Sequence, residues 1–394
     1  MESNQTIIAL KGPDRVRKRP AVIFGSEGIE GTTYAVKSLL KIFISEAALG
    51  FCNRLSVKFN TDNSFVIKSF DRGFLLSDEI INDKPSWYYD FCELYHPNWK
   101  LDEDYYFSLG EHHNQLYGDA KSSEYPHIDV DTFFDLTCVQ YVSEYMSVEA
   151  SRDNILKTLR FEKGYCVREL ETKESSNETY TQIEFKLDVR VFGTNSVYIN
   201  EIIDFLRNSA ITIPNLMCEF INETDNTNHR FIYPQGLNDF ITKHVETIAH
   251  TPIYFRELTA TGKDRYNRKE YTGTIRVAVC FCSKQSLTVC FHNHCKLHFG
   301  GRHLERIKEK ITDYFKWMFD DIYGKGTLSF STLFDNLIIA VETKCENYAT
   351  SWENTTKKAI TNKMLDDMAS DIVDDDFQYY LKKNKLEILK IVGI

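Results

Sequence analysis

The sequence lacks long apolar runs, internal repeats and low-complexity tracts. No stretch reaches the roughly 18 uninterrupted apolar residues that a membrane-spanning helix needs, so we expect no membrane association. The first residues, MESNQTIIALKGPDRVRKRP, also lack the basic-then-apolar order of a secretory signal peptide. Together these absences predict a cytoplasmic protein.

Cysteine is too sparse for a disulfide scaffold, because ten cysteines are spread without dense, even spacing over 394 residues. Such usage is typical of a reducing compartment, and we expect free thiols. Hydrophobic content of 42% and charged content of 26% indicate an ordinary globular chain. Because a single core rarely grows beyond roughly 250–300 residues, the length predicts two domains.

Positive charge is in deficit, with a formal net charge of −10. Such a surface repels nucleic acid unless lysines and arginines cluster on one face. Residues 15–19, RVRKR, form one such cluster, whereas the acidic stretch from Asp366 to Asp376 has the opposite charge. Charge alone therefore leaves DNA binding open.

Hydrophobic periodicity begins with a helix and a hairpin. Residues 34–50 carry an apolar stripe at helical spacing and end at Gly50, a natural C-terminal cap. The following RLSVKFNTDNSFVIKSFD alternates apolar and polar residues around a turn at 61–63, which predicts an antiparallel hairpin. A helix followed by a hairpin favours an α+β domain.

Residues 83–132 form an aromatic-rich insertion without clear periodicity. Its tyrosines and tryptophans are either a base-stacking platform or a local hydrophobic core, and we favour packing. The polar stretch Asn222–Asn228 is the predicted linker, which gives domains 1–222 and 223–394. The other predicted elements are helices at 132–146, 198–209, 236–248 and 301–321, a helical region from about 360, strands at 180–188, 216–221 and 336–344, hairpins turning at 153–154 and 163–164, and a hairpin joining 273–282 to 286–292.

A cluster of cysteines and histidines lies within nineteen residues: Cys280, Cys282, Cys290, His292, His294, Cys295 and His298. Such residues could bind zinc, but their spacing fits no closed zinc motif. Cys280 and Cys282 alternate with apolar neighbours as a strand would, so we interpret them as small core residues and predict no metal site.

Several segments resemble, in order, the ATPase half of type II DNA topoisomerases, closest to the amino-terminal fragment of gyrase B in the GHKL superfamily. They are LKGPDRVRKRPAVIFGS, the DRG at 71–73, CVQYVSEYMSVEASRDN with FEKG, TQIEFKLDVRVF, YPQGLNDF, CFHNHCKLHFGGRHLERIKEKI and WENTTKKAITN. The resemblance covers nearly the whole chain except 83–132. It implies an α+β fold, with a GHKL (Bergerat-type) ATPase-like α/β sandwich followed by a ribosomal S5 domain 2-like α/β transducer domain.

In that family a glutamate acts as general base, an asparagine holds magnesium, and an aspartate accepts a hydrogen bond from adenine. The resemblance places these roles on Ser38, Ile42 and Ser69. Serine is no base at neutral pH and isoleucine cannot ligate a hard cation, so we expect no catalytic residue and a degenerate nucleotide site.

At the other functional positions of the family, some residues of this chain differ from the family and others match it. The glycines of the phosphate-binding lid correspond to Phe133-Phe134-Asp135, whose side chains would obstruct phosphates. Arg72, Gly73 and Thr181 match the family, as does Lys357, the transducer lysine that reaches the terminal phosphate. The alternative interpretation is that these residues are retained for folding.

The resemblance leaves two functions open. One is a catalytically inactive gyrase-B-like binding or regulatory module related to DNA topology, with no ATP turnover by itself and no cofactor. The other is an ATP-binding gate subunit of a topoisomerase completed by a separate chain, which alone would require ATP and Mg²⁺. A second copy, a topoisomerase subunit and DNA are the candidate partners. The chain ends before the family's cleavage domain, so we expect no DNA-linking tyrosine.

Overall fold

A computed structural model describes residues 12–81, 83–94, 132–174, 178–263, 270–323, 333–345, 351–352 and 359–393. They form two units. The first takes in the described residues up to Arg207 together with Leu216–Phe231, and the second takes in Asn208–Asn215 and Ile232–Ile394. The predicted insertion is described only at 83–94 and 132, and its role stays a prediction.

The first unit is built around an eight-stranded sheet in the order β10-β9-β1-β2-β8-β5-β6-β7. Its helices are α1 (Pro13–Arg17), α2 (Pro20–Phe24), α3 (Ile29–Ala48), α4 (Ser86–Cys92), α5 (Thr132–Val142), α6 (Val189–Phe192) and the part of α7 (Ile199–Thr212) that precedes Asn208. Its strands are β1 (Arg54–Phe59), β2 (Phe65–Ser69), β5 (Ser143–Arg152), β6 (Ile155–Glu162), β7 (Tyr165–Glu174), β8 (Tyr180–Leu187), β9 (Met217–Asn222) and β10 (Thr227–Phe231), with β3 (Ile80–Ile81) and β4 (Lys84–Pro85) pairing separately.

Helix α3 is the central helix of this unit. It begins at Ile29, earlier than the predicted residue 34, and ends just before Gly50, whose φ of +85° suits a residue without a side chain. The face carrying Leu39, Leu40 and Phe43 is fully buried. The apolar stripe seen in the sequence is therefore the face that packs into the core.

Period-two alternation marks the sheet, and the predicted β1–β2 hairpin is confirmed by its antiparallel register. The predicted turns at 153–154 and 163–164 join β5, β6 and β7, and all four of their residues have positive φ. The helix predicted over 132–146 is too long, because α5 stops at Val142 and β5 begins at once. Within β5, Met146 and Val148 alternate with more exposed residues, as a strand requires.

The stretch Asn222–Asn228 is not an extended linker. It forms the turn of an antiparallel hairpin in which Thr227 of β10 pairs with Asn222 of β9. Asp225 accepts a hydrogen bond from the backbone N–H of Thr227 at 3.1 Å, and Asn226 has a φ of 55°. Turn-forming residues produced the linker pattern, and Phe231 is the last residue that belongs to the first unit.

The second unit contains a five-stranded sheet in the order β11-β12-β16-β13-β14 and a small sheet β15-β18-β17. The strands are β11 (Tyr254–Lys263), β12 (Glu270–Phe281), β13 (Leu287–His292), β14 (Cys295–Lys296), β15 (Gly300–Gly301), β16 (Leu337–Lys344), β17 (Ser351–Trp352) and β18 (Ala359–Thr361). The helices are α8 (Leu237–Val245), α9 (Arg302–Tyr323), α10 (Lys363–Asp371), α11 (Asp375–Lys383) and α12 (Lys385–Val392).

The pairing in this sheet corrects one expectation. Strands β12 and β13, predicted as a hairpin, do not pair with each other but lie on either side of β16, which is antiparallel to β12 and parallel to β13. Helix α9 buries Ile307, Ile311 and Phe315 at helical spacing against the core. The sequence predicted all three strands but not that β16 lies between β12 and β13.

The described part of the chain contains no helix that combines the length and the apolarity needed to cross a membrane.

Candidate functional site

Six of the seven residues predicted for a nucleotide site, and Asp71 beside them in the sequence, lie in the first unit on α3, at the end of β2, in the loop that follows it and on β8. We call this set the α3 site: Ser38, Ile42, Ser69, Asp71, Arg72, Gly73 and Thr181. Ser38 and Ile42 lie one turn apart on α3, and both are fully buried. The hydroxyl of Ser38 has no hydrogen-bond partner among the described residues.

The helix side of the α3 site is apolar. Ile42 offers only a hydrocarbon side chain, and the neighbouring Phe43 stacks on Phe74 with ring centroids 6.0 Å apart and nearly parallel planes. Lys41, the residue before Ile42, places its ammonium 5.3 Å from the ring centre of Tyr34. Neither Ser38 nor Ile42 supplies a carboxylate or amide oxygen, the ligands that hard cations such as Mg²⁺ require.

The polar side of the site centres on Asp71, which is almost completely buried. Its Oδ1 accepts hydrogen bonds from the backbone N–H of Gly73 at 2.8 Å and from the Thr181 hydroxyl at 3.0 Å. The Thr181 Oγ1 in turn accepts from the backbone N–H of Phe74 at 3.1 Å. Asp71 and Thr181 thus bond to each other and fix the loop that follows β2.

Burial raises the pKa of Asp71 to about 6, although the hydrogen bonds from Gly73, Ser69 and Thr181 act in the opposite direction. The nearby carboxylate of Glu46 adds to the increase. Ser69, the position of the family's adenine-binding aspartate, is fully buried and pairs with Thr181 in the β2–β8 register. The carboxyl group that follows β2 is therefore that of Asp71, two residues later than the family position.

Arg72 anchors the loop to α3. Its Nε and Nη2 donate to the two carboxylate oxygens of Glu46 at 3.0 and 2.7 Å, and the guanidinium lies 3.8 Å from the ring centre of Phe51. Glu46 is fully buried. No local sequence pattern indicates this bidentate pair, because the two residues are 26 positions apart.

Gly73 has a structural reason to be glycine. Its φ is +71°, and an added Cβ would lie 2.6 Å from the carbonyl oxygen of Ser151. A side chain would therefore strain the backbone and clash with β5. The retention of Gly73 needs no bound phosphate to explain it.

Two predicted parts of the site lie beyond what the structure describes. Lys357 falls outside the described residues. The backbone of Phe133-Phe134-Asp135 is in the first turns of α5, but their side chains are outside the described part of the chain. Obstruction of the phosphate position thus stays a prediction.

The cysteine and histidine cluster is part of the second unit's sheet and core. Cys290 and His303 are both buried, with the sulfur 3.2 Å from Nε2, and His292 Nδ1 lies 3.0 Å from the Thr343 hydroxyl. Burial raises the pKa of Cys290 to about 12 and lowers that of His303 to about 4, which keeps both groups neutral. The described residues contain no group of three or more His, Cys, Asp or Glu side chains arranged to hold a metal.

Comparison with known proteins bears on the whole chain. A family model described as DNA gyrase B matches residues 236–393. The B subunit of DNA gyrase from Clostridium acetobutylicum is 23% identical over 394 residues, covering 96% of this chain and 56% of the relative. The B subunit of DNA topoisomerase 4 from Streptococcus pneumoniae is 24% identical over 397 residues, covering 97% and 56%. The chain spans about half the length of the curated relatives it matches.

Solved structures show the same fold. The 43K ATPase domain of Thermus thermophilus gyrase B superimposes with a TM-score of 0.67 at 18% identity, covering 98% of this chain and 93% of that one. The B-subunit of the DNA gyrase from Myxococcus xanthus gives 0.65 at 15% identity, with coverage of 96% and 99%. The fold is therefore α+β, like that of these gyrase B structures.

Proposed function

Because the chain is gyrase B-like in sequence and in fold, we propose that it is a catalytically inactive binding or regulatory module related to DNA topology. The observation that carries this proposal is the composition of the α3 site. Ser38 and Ile42, at the positions of the family's base and magnesium ligand, are buried and offer neither a proton acceptor near neutral pH nor an oxygen ligand set.

The loss of both functions on one helix face has a large expected effect on turnover. A positioned general base alone commonly contributes roughly 10²- to 10⁴-fold to a rate, and a metal ion adds several kcal/mol of charge stabilisation. Glu46 cannot replace the base, since its carboxylate is held by Arg72. The proposed module therefore has no catalytic residue and needs no cofactor.

One observation favours a second function, that of an ATP-binding gate subunit of a topoisomerase completed by a separate chain. Asp71 places a buried carboxyl group beside Thr181, the retained residue behind the family's adenine position. A carboxylate there could accept a hydrogen bond from an adenine amino group in place of Ser69. Under this alternative ATP and Mg²⁺ are the cofactors, and Lys357 and Arg72 belong to the site.

The relatives suggest the partners. Those named above are subunits of gyrase and of topoisomerase 4. The proposed module would accordingly join a topoisomerase subunit or a second copy of itself through inherited surfaces, with DNA as a further candidate. The division into domains 1–222 and 223–394 is part of this proposal, although the hairpin β9–β10 extends the first unit to Phe231.

The test is calorimetric titration of the full chain with a non-hydrolysable ATP analogue and Mg²⁺, with the Thermus thermophilus 43K gyrase B domain as positive control. We expect no saturable heat. A matched variant, Ser38→Glu with Ile42→Asn, restores the two lost side chains and asks whether they alone limit binding. Saturable, magnesium-dependent binding by the unmodified chain would reject the inactive module and support the gate subunit.

A further inference from the structure

The last two helices of the second unit carry an exposed basic stripe. Five residues share one side of these helices at helical spacing, and we call them the α11–α12 stripe: Tyr379, Lys382, Lys383, Leu386 and Lys390. Tyr379 is 67% exposed and Leu386 is 84% exposed. The opposite side of the two helices is buried in the core, through Phe377, Tyr380, Ile388 and Leu389. The stripe therefore faces away from the core.

The junction between the two helices keeps the stripe on one face. The backbone N–H of Asn384 donates to the carbonyl of Tyr380 at 3.1 Å, and the backbone N–H of Ile388 donates to the carbonyl of Asn384 at 2.9 Å. Hydrogen bonds of helical spacing thus run into and out of the residue that separates α11 from α12. At a rise of about 1.5 Å per residue, the stripe is roughly 17 Å long.

The three lysines of the stripe are not neutralised by acidic neighbours. Lys382 places its ammonium 4.9 Å from the ring centre of Trp317, and none of the three lysines forms an ion pair within the part of the chain that the structure describes. The acidic side chains of these helices are in the first turn of α11 and at Glu387, which the helical spacing places beside the stripe. The stripe is therefore locally positive on a chain with a formal net charge of −10.

The basic run that the sequence shows at 15–19 uses its charges differently. Arg17 pairs with Asp188 and also donates to the carbonyl of Tyr141 at 2.8 Å, and Lys18 pairs with Asp14 at 3.0 Å. These two cations are engaged within the first unit. The run therefore offers less charge to a polyanion than the stripe does.

We propose that the α11–α12 stripe binds the phosphate backbone of double-stranded DNA without reading its sequence. Duplex DNA carries one negative charge about every 1.7 Å along its axis, and lysine ammonium groups bind phosphate as point charges. A stripe roughly 17 Å long covers about half a helical turn, which brings several phosphates within reach of three lysines. The inference deepens the proposed role in DNA topology, on which the choice of DNA among polyanions rests, and the α3 site takes no part in it.

The composition of the stripe argues against other partners. A single-stranded nucleic acid needs several aromatic side chains on which successive bases stack, whereas the stripe contains one tyrosine. A membrane-binding helix buries a broad apolar face, and the stripe offers one leucine beside that tyrosine. The core of a protein interface is depleted of charged residues, whereas lysines are the majority here. Contact between lysine and phosphate suits the stripe best.

The experiment is fluorescence anisotropy of a labelled duplex of about 20 base pairs, titrated with the full chain between about 50 and 200 mM salt. We expect a dissociation constant of roughly 10⁻⁴–10⁻⁶ M, the range of non-specific binding. With about three phosphate contacts, a fourfold rise in salt should weaken binding roughly 40-fold. Absence of binding at about 50 mM salt with protein near 10⁻⁴ M overturns the proposal and leaves the nucleotide titration of the α3 site unaffected.

Lysine variants locate the contact. Lys383→Gln with Lys390→Gln removes two exposed charges of the stripe and should weaken DNA binding by about tenfold or more and lower the salt dependence by about two contacts. Lys163→Gln with Lys296→Gln is the matched control, because it removes the same charge from two exposed lysines in the turn after β6 and on β14. The control should change the affinity by less than about threefold. Equal affinities of the two double variants overturn the proposal.

Two competitors test the choice of duplex DNA. Poly-glutamate and a single strand of the same length both carry charge at lower density than the duplex, so each should displace the labelled duplex at least about tenfold less effectively than unlabelled duplex does. Equal displacement by poly-glutamate would show an acidic protein as the better partner. Equal or stronger displacement by the single strand would show that bases rather than paired backbones are bound. Either result overturns the proposal.

Discussion

The α3 site differs in the pairing of its polar side chains from the cleft that Arg302 and Arg306 of α9 and Lys363 and Asp367 of α10 line. In the α3 site Asp71 bonds to Thr181 and Gly73, and Glu46 holds Arg72 through two hydrogen bonds. In the cleft Arg302 and Lys363 are exposed and form no ion pair among the described residues. The first arrangement joins buried polar groups to one another, whereas the second leaves two cations in contact with solvent.

Residues that match a family's binding residues should be interpreted from the contacts that their polar atoms make. A side chain that matches a family's binding residue is evidence for binding only when its polar atoms are not already used to hold the fold. Buried polar groups without partners cost free energy, so a chain that no longer binds a ligand must supply substitutes from its own side chains. In the α3 site Asp71 is paired with Thr181, and Glu46 with Arg72.

The largest expected effect tests whether the α3 site is structural. Glu46→Ala removes a fully buried carboxylate and leaves the Arg72 guanidinium, only 18% exposed, without its bidentate partner. Breaking such a pair costs about 3–5 kcal/mol of unfolding free energy. Urea denaturation should show this loss.

An exposed pair provides the control for that variant. Lys58 and Glu223 approach to 2.6 Å, but both side chains are about 40% exposed. Glu223→Ala should therefore change the unfolding free energy by less than about 1 kcal/mol. Similar losses for Glu46→Ala and Glu223→Ala would contradict a structural role of the buried pair.

A smaller change is expected in the pH dependence of the unfolding free energy. The pKa of Asp71 is raised from 3.8 to about 6, so the folded chain binds this proton more tightly than the unfolded chain. Its stabilisation is present below about pH 4 and is lost as the pH rises through about 6, an expected change of about 2–3 kcal/mol.

Asp71→Asn should remove that contribution, since an amide oxygen can still accept from Thr181 but does not titrate. Unfolding free energies of the two proteins would be measured between pH 4 and pH 7 by urea denaturation. The difference between the two curves gives the part of the pH dependence that comes from Asp71 and not from the other carboxylates. Parallel curves across this range would show that the Asp71 carboxyl is already ionised in the folded chain throughout.

Much of the fold could be predicted from local patterns. The α3 stripe, the β1–β2 hairpin and the turns at 153–154 and 163–164 follow from residue spacing and from residues that tolerate positive φ. The end of α5 could not, because tertiary pairing with β8 and β6 converts the segment from Ser143 onward into a strand. Strand β16 between β12 and β13 likewise depends on distant residues.

The contacts of the predicted site residues could not be read from the sequence. The resemblance named Ser38, Ile42, Ser69, Arg72, Gly73 and Thr181, which lie on α3, at the end of β2, in the loop that follows it and on β8. Nothing local indicated that Asp71 would bond to Thr181, since the two residues are 110 positions apart. Asp71 therefore has a hydrogen-bonding role in the fold that only the structure reveals.

The smallest change in unfolding free energy is expected for Arg302→Gln, in the cleft. Arg302→Gln changes an exposed side chain that has no ion pair among the described residues, so the unfolding free energy should change by less than about 0.5 kcal/mol. Urea denaturation without added ligand makes the measurement. An unchanged unfolding free energy would show that the charge of Arg302 does not stabilise the fold. A decrease close to that of Glu46→Ala would show that Arg302 is a structural residue, and the two regions would then not differ in this respect.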